Sequence, residues 1–383
     1  MAFNITNLVN AINAKSATVG ADSALDKAVL LASNVKNALI YSSLVDLPTA
    51  DSSNQGDLVR IGASFGADTK YYVSHRDRWN LIGLDDSDVA TGGQIPPFQG
   101  SNFGYASGGN DGSSASNIIE KFPFASDGNA TDVGDLTAGR YNAAGQSSAT
   151  YGYNSGGVPL SNVINKFSFA ADGNATDAGD LTVARYKSAG QSSIANGFGY
   201  TTASEGSPSV TYNVIDKFSF ATDGNATDVG DMSVHRWAVA GQSSTTDGYA
   251  SGGLPTYNTI DKFSFTTDGD ATDVGDLSSG RQSLTGQSST THGYSSGGVT
   301  TGRIDIIDKF PFASDDDATD VGDLTVGKNA NSGQSSTAHG YSSGGYDTGA
   351  SNIIEKFPFA SDANATDVGD LTVARYSVAG QQY

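Results

Sequence analysis

From residue 103 onward the apolar residues come in short runs cut by glycine, and the runs return in the same order six times. The first full copy, Ile118 to Gly157, reads IIEKFPFASDGNATDVGDLTAGRYNAAGQSSATYGYNSGG. Runs such as VIDKFSF, GYASGG and VAGQSS are rich in aromatic, β-branched and small residues, and none is long or periodic enough for a helix. The Lys-Phe pair at the centre of each copy ends at Phe122, Phe167, Phe218, Phe263, Phe310 and Phe357, with spacings of 45, 51, 45, 47 and 47 residues. A period of that length predicts stacked or radial repeats. Each unit divides into four strands: A (AGQSS), B (GYSSGG), C (IIDKFSF) and D (TDVGDL), separated by Gly, Asp, Asn and Ser turns. Four short strands per unit is the arithmetic of a propeller blade. The repeats open at Phe103–Gly109 with a strand B and close at Val378–Tyr383 with a lone strand A, so the last strand can complete the first blade and remove the exposed sheet edges. The expected fold is mainly β: a six-bladed propeller closed by a C-terminal strand.

The first ninety residues follow other patterns. Ile5, Leu8, Val9 and Ile12 fall at helical spacing, as do Leu25, Ala28, Val29, Ala32, Val35 and Leu39, which predicts two amphipathic helices, the second starting near a capping-box-like Ser23 and Asp26. LPTADSSNQGDLVRIG, TKYYVS and RWNLIG then predict three short strands of a small antiparallel module. The expected division is a helical attachment or oligomerisation segment at 1–43, the β module at 44–92, a linker at 93–102 and the propeller at 103–383.

Charge narrows the partners. With 21 basic and 41 acidic residues, a net of −20, the chain lacks the basic face that a nucleic acid requires. Much of the acidity recurs in register, as at Asp127, Asp132 and Asp135, and so belongs to the scaffold and favours solubility. With no cysteine, neither disulfides nor thiolate metal sites can hold the fold. No run of 18 apolar residues and no basic, then apolar, N-terminal leader is present, so synthesis in the cytoplasm without membrane insertion is expected.

An active site should break the repeat symmetry, and no nucleophile, base or metal cluster does; no enzymatic reaction is expected. Of the four histidines, His75, His235, His292 and His339, the last two share one register immediately before strand B, where other copies have Tyr151 or Asp247, as a solvated turn would. Calcium is the one candidate cofactor: Asp127, Asn129, Asp132 and Asp135, with their equivalents in other copies, supply closely spaced oxygens suited to a hard cation. The same residues also build tight turns, where Gly128 would supply a positive φ. Arg140, Arg185, Arg236, Arg281 and Arg375, with Lys328 in the remaining place, recur between strands D and A. Glu120, Asp216, Asp261, Asp308 and Glu355, with Asn165 in the sixth place, recur on strand C. Ion pairs between adjacent blades would explain both rows; a charged channel lining is the sharper alternative. Recognition is expected where the copies disagree, in the loops between strands B and C. There Tyr212, Tyr257, Tyr346, Arg303, Glu205 and Asp347 are the candidate ligand-binding residues.

The order Arg, glycine strand, aromatic-GlyGly strand, aromatic strand and polar turn over 103–383 resembles the kelch-type propeller repeat. It departs from that pattern in the third unit, GYTTASEG, which lacks the diglycine, and in a Phe pair such as Phe122 and Phe124 where the family has Tyr and Trp. The wording LPTAD, YYVS and RWNLI, and repeats such as NTIDKFSFTTDGDATDVGDL, resemble segments of tailed-phage virion structural proteins, especially marine ones. That resemblance implies a tail-associated or fibre-like virion protein. It would be a homo-oligomer held to other virion proteins through its N-terminal segment, and its propeller would face a host-surface glycan or protein. The alternatives are a capsid decoration or tail collar component of purely architectural role, and a propeller enzyme acting on surface polysaccharide.

Overall fold

The computed structural model describes residues 99–206 and 210–383, together with the strand backbones at 39–41, 58–61, 70–75 and 78–82. The chain divides into two compact units, Met1–Gln94 and Ile95–Tyr383. In the first, β2 (Leu58–Ile61), β3 (Lys70–His75) and β4 (Arg78–Ile82) form an antiparallel sheet from the three segments expected to build one. A further strand, β1 (Leu39–Tyr41), joins β2 in parallel. Leu39, the last position of the second predicted helical stripe, therefore stands in a strand, where its β-ladder partner is Val59. The remaining positions of both predicted helices lie outside the described residues.

The second unit is a six-bladed β-propeller of four-stranded antiparallel sheets. Strand A is innermost and strand D outermost. Blade 2, for example, runs Ala144–Ser147, Tyr151–Ser155, Val163–Ser168 and Thr176–Asp180. Blade 1 takes its strand A from the C-terminus: Ala379–Gln382 pairs with Phe103–Ser107, Gln381 opposite Tyr105. The ring is thus shut by hydrogen bonds between residues far apart in the chain, and no blade is left with an open inner edge. Blade 3 carries the longest B–C hairpin, Phe198–Glu205 against Thr211–Ser219, which accounts for the 51-residue spacing before Phe218.

Period-2 alternation alone would build separate blades; repeated contacts between blades make them one body. The strand-B tyrosine of each blade is buried against the strand-C Phe pair of the next, as Tyr153 lies 5.3 Å from Phe218 and 5.0 Å from Phe220. The offset and edge-on geometries of these triplets are those that aromatic rings favour. In every blade the glutamine that follows the strand-A glycine is buried, and its amide donates across the blade boundary, as Gln146 Nε2 does to the Tyr200 carbonyl at 2.9 Å. The preceding glycine permits the approach: a Cβ on Gly286 would lie 2.1 Å from the Gly241 carbonyl oxygen, and the same clash recurs around the ring. The sequence word AGQS is therefore a close packing contact between blades around the axis.

Candidate functional site

Most of the repeated polar residues prove to be fasteners between blades. On the outer rim the strand-C lysine of one blade meets the turn aspartate of the next, as Lys121 does Asp172 at 2.6 Å, and this recurs at all six boundaries, with Lys356 meeting Asp127 across the closure. Asn129 Oδ1 accepts the Asp370 N–H at 3.1 Å, and Asp132 Oδ1 accepts the Gly134 N–H at 3.1 Å. Asp135 uses its backbone, donating to Asn174 Oδ1 at 3.0 Å. The four candidate calcium ligands thus turn to separate partners. Among the described residues no three Asp, Glu or His side chains converge as a metal site would require. The set does not fit a calcium ion. Nor does Gly128 supply a positive φ: it sits in open space, which is why Ala363 can replace it in the sixth copy. The glycine that this segment requires is Gly134, within strand D beside a break in the ladder register, at φ 154°, where a Cβ would lie 2.3 Å from the Gly173 carbonyl oxygen of the next blade.

The two rows of opposite charge meet as the ion-pair reading expects. Arg185 pairs with Asp216, Arg236 with Asp261 at 3.3 Å, Arg281 with Asp308 at 2.8 Å, Lys328 with Glu355 and Arg375 with Glu120. All ten side chains are fully buried, so the charged channel lining is overturned. The acid also caps the strand-D exit, where Asp216 accepts both the N–H and the hydroxyl of Thr182. Desolvation is the larger influence on Arg185, Arg236 and Arg375, and it lowers their pKa against the opposing pull of their carboxylates. The exception is Arg140, for which Asn165 stands in the acidic place.

Apart from Lys187, the axis itself is lined by neutral groups. Toward the A–B turns a cavity of about 60 Å³ is bounded by the strand-A glycines and by Ser147, Ser192, Ser243, Ser288 and Ser335. Each of these serines except Ser335 gives its N–H to the hydroxyl of the next, and Ser335 and Gln382 close the circle. At the opposite end a cavity of about 80 Å³ is ringed by Asn142, Lys187, Ala238, Ser283, Ala330 and Ser377. All six adopt left-handed conformations, φ 54 to 58°, and the N–H of each donates to the carbonyl of its counterpart in the preceding blade at 2.6 to 3.0 Å. A left-handed conformation costs a non-glycine residue about 1 kcal/mol, and here a closed circle of interblade hydrogen bonds offsets it.

Outside that circle lie the D–A links and the B–C loops, on one face. The residue after each recurring cation bridges to the B–C loop: Tyr141 to Val158, Tyr186 to Glu205, Trp237 to Leu254, Gln282 to Val299, Asn329 to Tyr346 and Tyr376 to Asn110. Four of these six residues are aromatic, a feature that sequence reasoning missed although the words RY and RW announce it. Of the predicted ligand-binding residues, Arg303, Tyr346 and Asp347 come from neighbouring blades 5 and 6. The guanidinium of Arg303 lies 4.6 Å from the Tyr346 ring centroid, and its Nε donates to Asn329 Oδ1 at 3.0 Å. Tyr376 packs edge-on against Tyr346 at 5.3 Å. The Asp347 carboxylate folds onto its own loop: burial raises its pKa, but N–H groups of Gly349 and Thr348 outweigh that and lower it. In blade 1, hydrogen bonds from Ser113 and Ser114 hold Asp111 down to about 2.

The other three belong to blades 3 and 4. Glu205 is consumed by Lys187 at 2.9 Å. The Tyr212 ring covers Gly206, and the Tyr257 backbone bonds Gly253 and Arg281. His292 and His339 begin strand B opposite Pro311 and Pro358, half-buried rather than in a solvated turn. Desolvation and then the strand-C lysine lower their pKa.

The protein is, on this evidence, a six-bladed β-propeller protein with one face of variable loops. No protein-family model matches the chain, and no curated protein matches it.

Proposed function

We propose that this chain is a structural protein of a tailed-phage virion whose kelch-like propeller is a rigid platform for binding a host-surface component or a neighbouring virion protein. The observation that carries the reading is one-sided variation. Rim lysines, buried ion pairs, glutamines and axial glycines repeat because they fasten blade to blade, while the copies diverge where the B–C loops and D–A links emerge together. Variable loops on a rigid scaffold are the usual place for recognition. The chain enters the propeller at the other face: Gln99 Nε2 donates to the Ser288 carbonyl at 3.1 Å and the Gly100 N–H to the Ser335 carbonyl at 2.8 Å, at the A–B ends of their strands. Residues 1–43 are assigned to self-association and attachment to other virion proteins. No reaction is assigned.

Electron cryo-microscopy of particles of the encoding phage tests the reading. Propeller density at the tail periphery with the variable face outward is the expected result. A propeller whose variable face is buried between other virion proteins would make it a spacer, and absence from the particle would overturn the virion assignment.

A further inference from the structure

The propeller has 14 basic side chains between residues 99 and 383, and among the described residues 12 of them form ion pairs. The two left over are Arg140, which is sealed inside a blade boundary, and Arg303, which is exposed on the variable face. In a chain of net charge −20, the one accessible Lys or Arg among the described residues that has no acid partner stands out as the place where an anion would be welcome.

Arg303 is also held in place. Its ring contact with Tyr346 fixes one face of the guanidinium, and its Nε is committed to Asn329. Its main chain bridges to Val299, and its carbonyl oxygen lies 2.9 Å from where a Cβ on Gly327 would be. Tyr346 is in turn braced by Tyr376 and by two backbone hydrogen bonds with Asn329. What remains free is the edge carrying Nη1 and Nη2, two parallel donors on a fixed plane. Such an edge matches the two coplanar oxygens of a carboxylate, and its immobilisation means little entropy is lost on binding. The nearest acid in sequence to Tyr346, Asp347, is turned onto its own backbone and leaves that edge open.

We propose that Arg303 is the anion-recognising centre of this face and takes the carboxylate of a uronic-acid polysaccharide. The inference rests on the binding role proposed above and names the ligand class. A planar monoanion suits a single guanidinium in acidic surroundings; a phosphate dianion would ask for more positive charge. Asn329, Thr300 and Thr348 offer polar groups for sugar hydroxyls close in sequence to Arg303 and Tyr346. The three large apolar side chains exposed among the described residues, Leu160, Val210 and Val373, stand in loops of three different blades rather than as the central apolar anchor that protein partners bury.

The test is calorimetric titration of the full-length protein with alginate oligosaccharides, with dextran sulfate, neutral dextran and poly-glutamate in parallel, on wild type, Arg303→Gln and Arg303→Lys. Wild type should bind alginate and not neutral dextran. Arg303→Gln should weaken binding roughly 10- to 100-fold, the worth of a charge-assisted bidentate contact, with an unchanged melting temperature, and Arg303→Lys should fall between. Equal or tighter binding of dextran sulfate would reassign the ligand to a sulfate ester, and of poly-glutamate to an acidic protein segment. No binding of any anion by wild type, or Arg303→Gln binding as wild type, would overturn the site. Binding by a protein that is absent from particles would leave the site standing and remove only the virion reading.

Discussion

Replacing Asn165 with Asp should stabilise the propeller, because one blade boundary lacks the carboxylate that the other five contain. Asn165 is fully buried, and its Oδ1 already accepts the Thr137 N–H at 2.9 Å and hydroxyl at 2.7 Å. Those are the groups that Asp261 accepts from Ser233 two junctions further round, after blade 3. Its Nδ2, however, is a sealed donor without an acceptor. Arg140 opposite is satisfied only by neutral groups, the Gly156 carbonyl at 3.1 Å, the Val163 carbonyl at 3.3 Å and Ser161 Oγ at 3.4 Å. Burial therefore lowers its pKa, with only Asp177 pulling the other way.

An isosteric Asp would keep both Thr137 bonds, remove the orphan donor and supply an anion to the guanidinium. Relieving a buried unsatisfied donor is worth about 1–3 kcal/mol, and the new carboxylate's desolvation cancels part of the Coulomb gain, so a net of about 1–3 kcal/mol is expected. In a protein of this size that is a rise in Tm of roughly 1–2 °C per kcal/mol. The gain belongs to a carboxylate whose folded pKa is depressed by Arg140. It should be present above the unfolded Asp value near 4 and vanish as pH falls through the folded value. Calorimetry and urea titration at pH 7 and at low pH read both. The converse variant, Asp308→Asn, leaves Arg281 uncompensated and should cost about 3–5 kcal/mol. If Asn165→Asp is neutral or destabilising while Asp308→Asn is mild, the buried pairs are not what holds the boundaries and the reasoning fails.

Three further outcomes follow from the same contacts. Gly286→Ala forces a methyl to 2.1 Å from the Gly241 carbonyl oxygen and should cost about 3 kcal/mol or more, whereas Gly128→Ala, in open space, should be neutral in the same denaturant titration. Burial raises the strand-B tyrosines, with Tyr105, Tyr153 and Tyr294 pushed up to about 12. Because the unfolded chain ionises first, near pH 10, stability should fall from pH 10 upward, and the part of the tyrosinate absorbance that belongs to the buried strand-B rings should rise together with loss of β-sheet circular dichroism rather than before it. Deleting 379–383 removes the strand paired with Phe103–Ser107 and should turn a cooperative melt into a broad one with concentration-dependent association, read by light scattering.

The blades were legible in the sequence because each fastener is written six times. Period, strand order, closure and the pairing of the two charged rows can all be read from recurrence alone. What recurrence cannot distinguish is which use a repeated residue is put to. Asp127 and Asp132 are equally at home in a calcium loop and in a lattice of turns and rim pairs, and only the position of Lys356, 229 residues away, decides. Gly128 invites the role of the turn glycine, but the position that needs glycine is Gly134 in strand D, and the carbonyl of the next blade that requires it is invisible in local spacing. The left-handed ring of Asn142, Lys187, Ala238, Ser283, Ala330 and Ser377 escaped notice for the opposite reason: its side chains differ and only its backbone repeats.

Recognition obeys the reverse logic, since an asymmetric ligand needs residues that occur once. Arg303 and Glu205 both break the repeat and look equivalent as loop charges. The fold separates them by what stands opposite: Glu205 meets Lys187 and is neutralised, whereas Arg303 meets an aromatic ring and an amide that orient it without cancelling its charge. In a scaffold that matches nearly every cation to an acid, a cation that is positioned but left unmatched carries more functional information than any of the residues repeated around it.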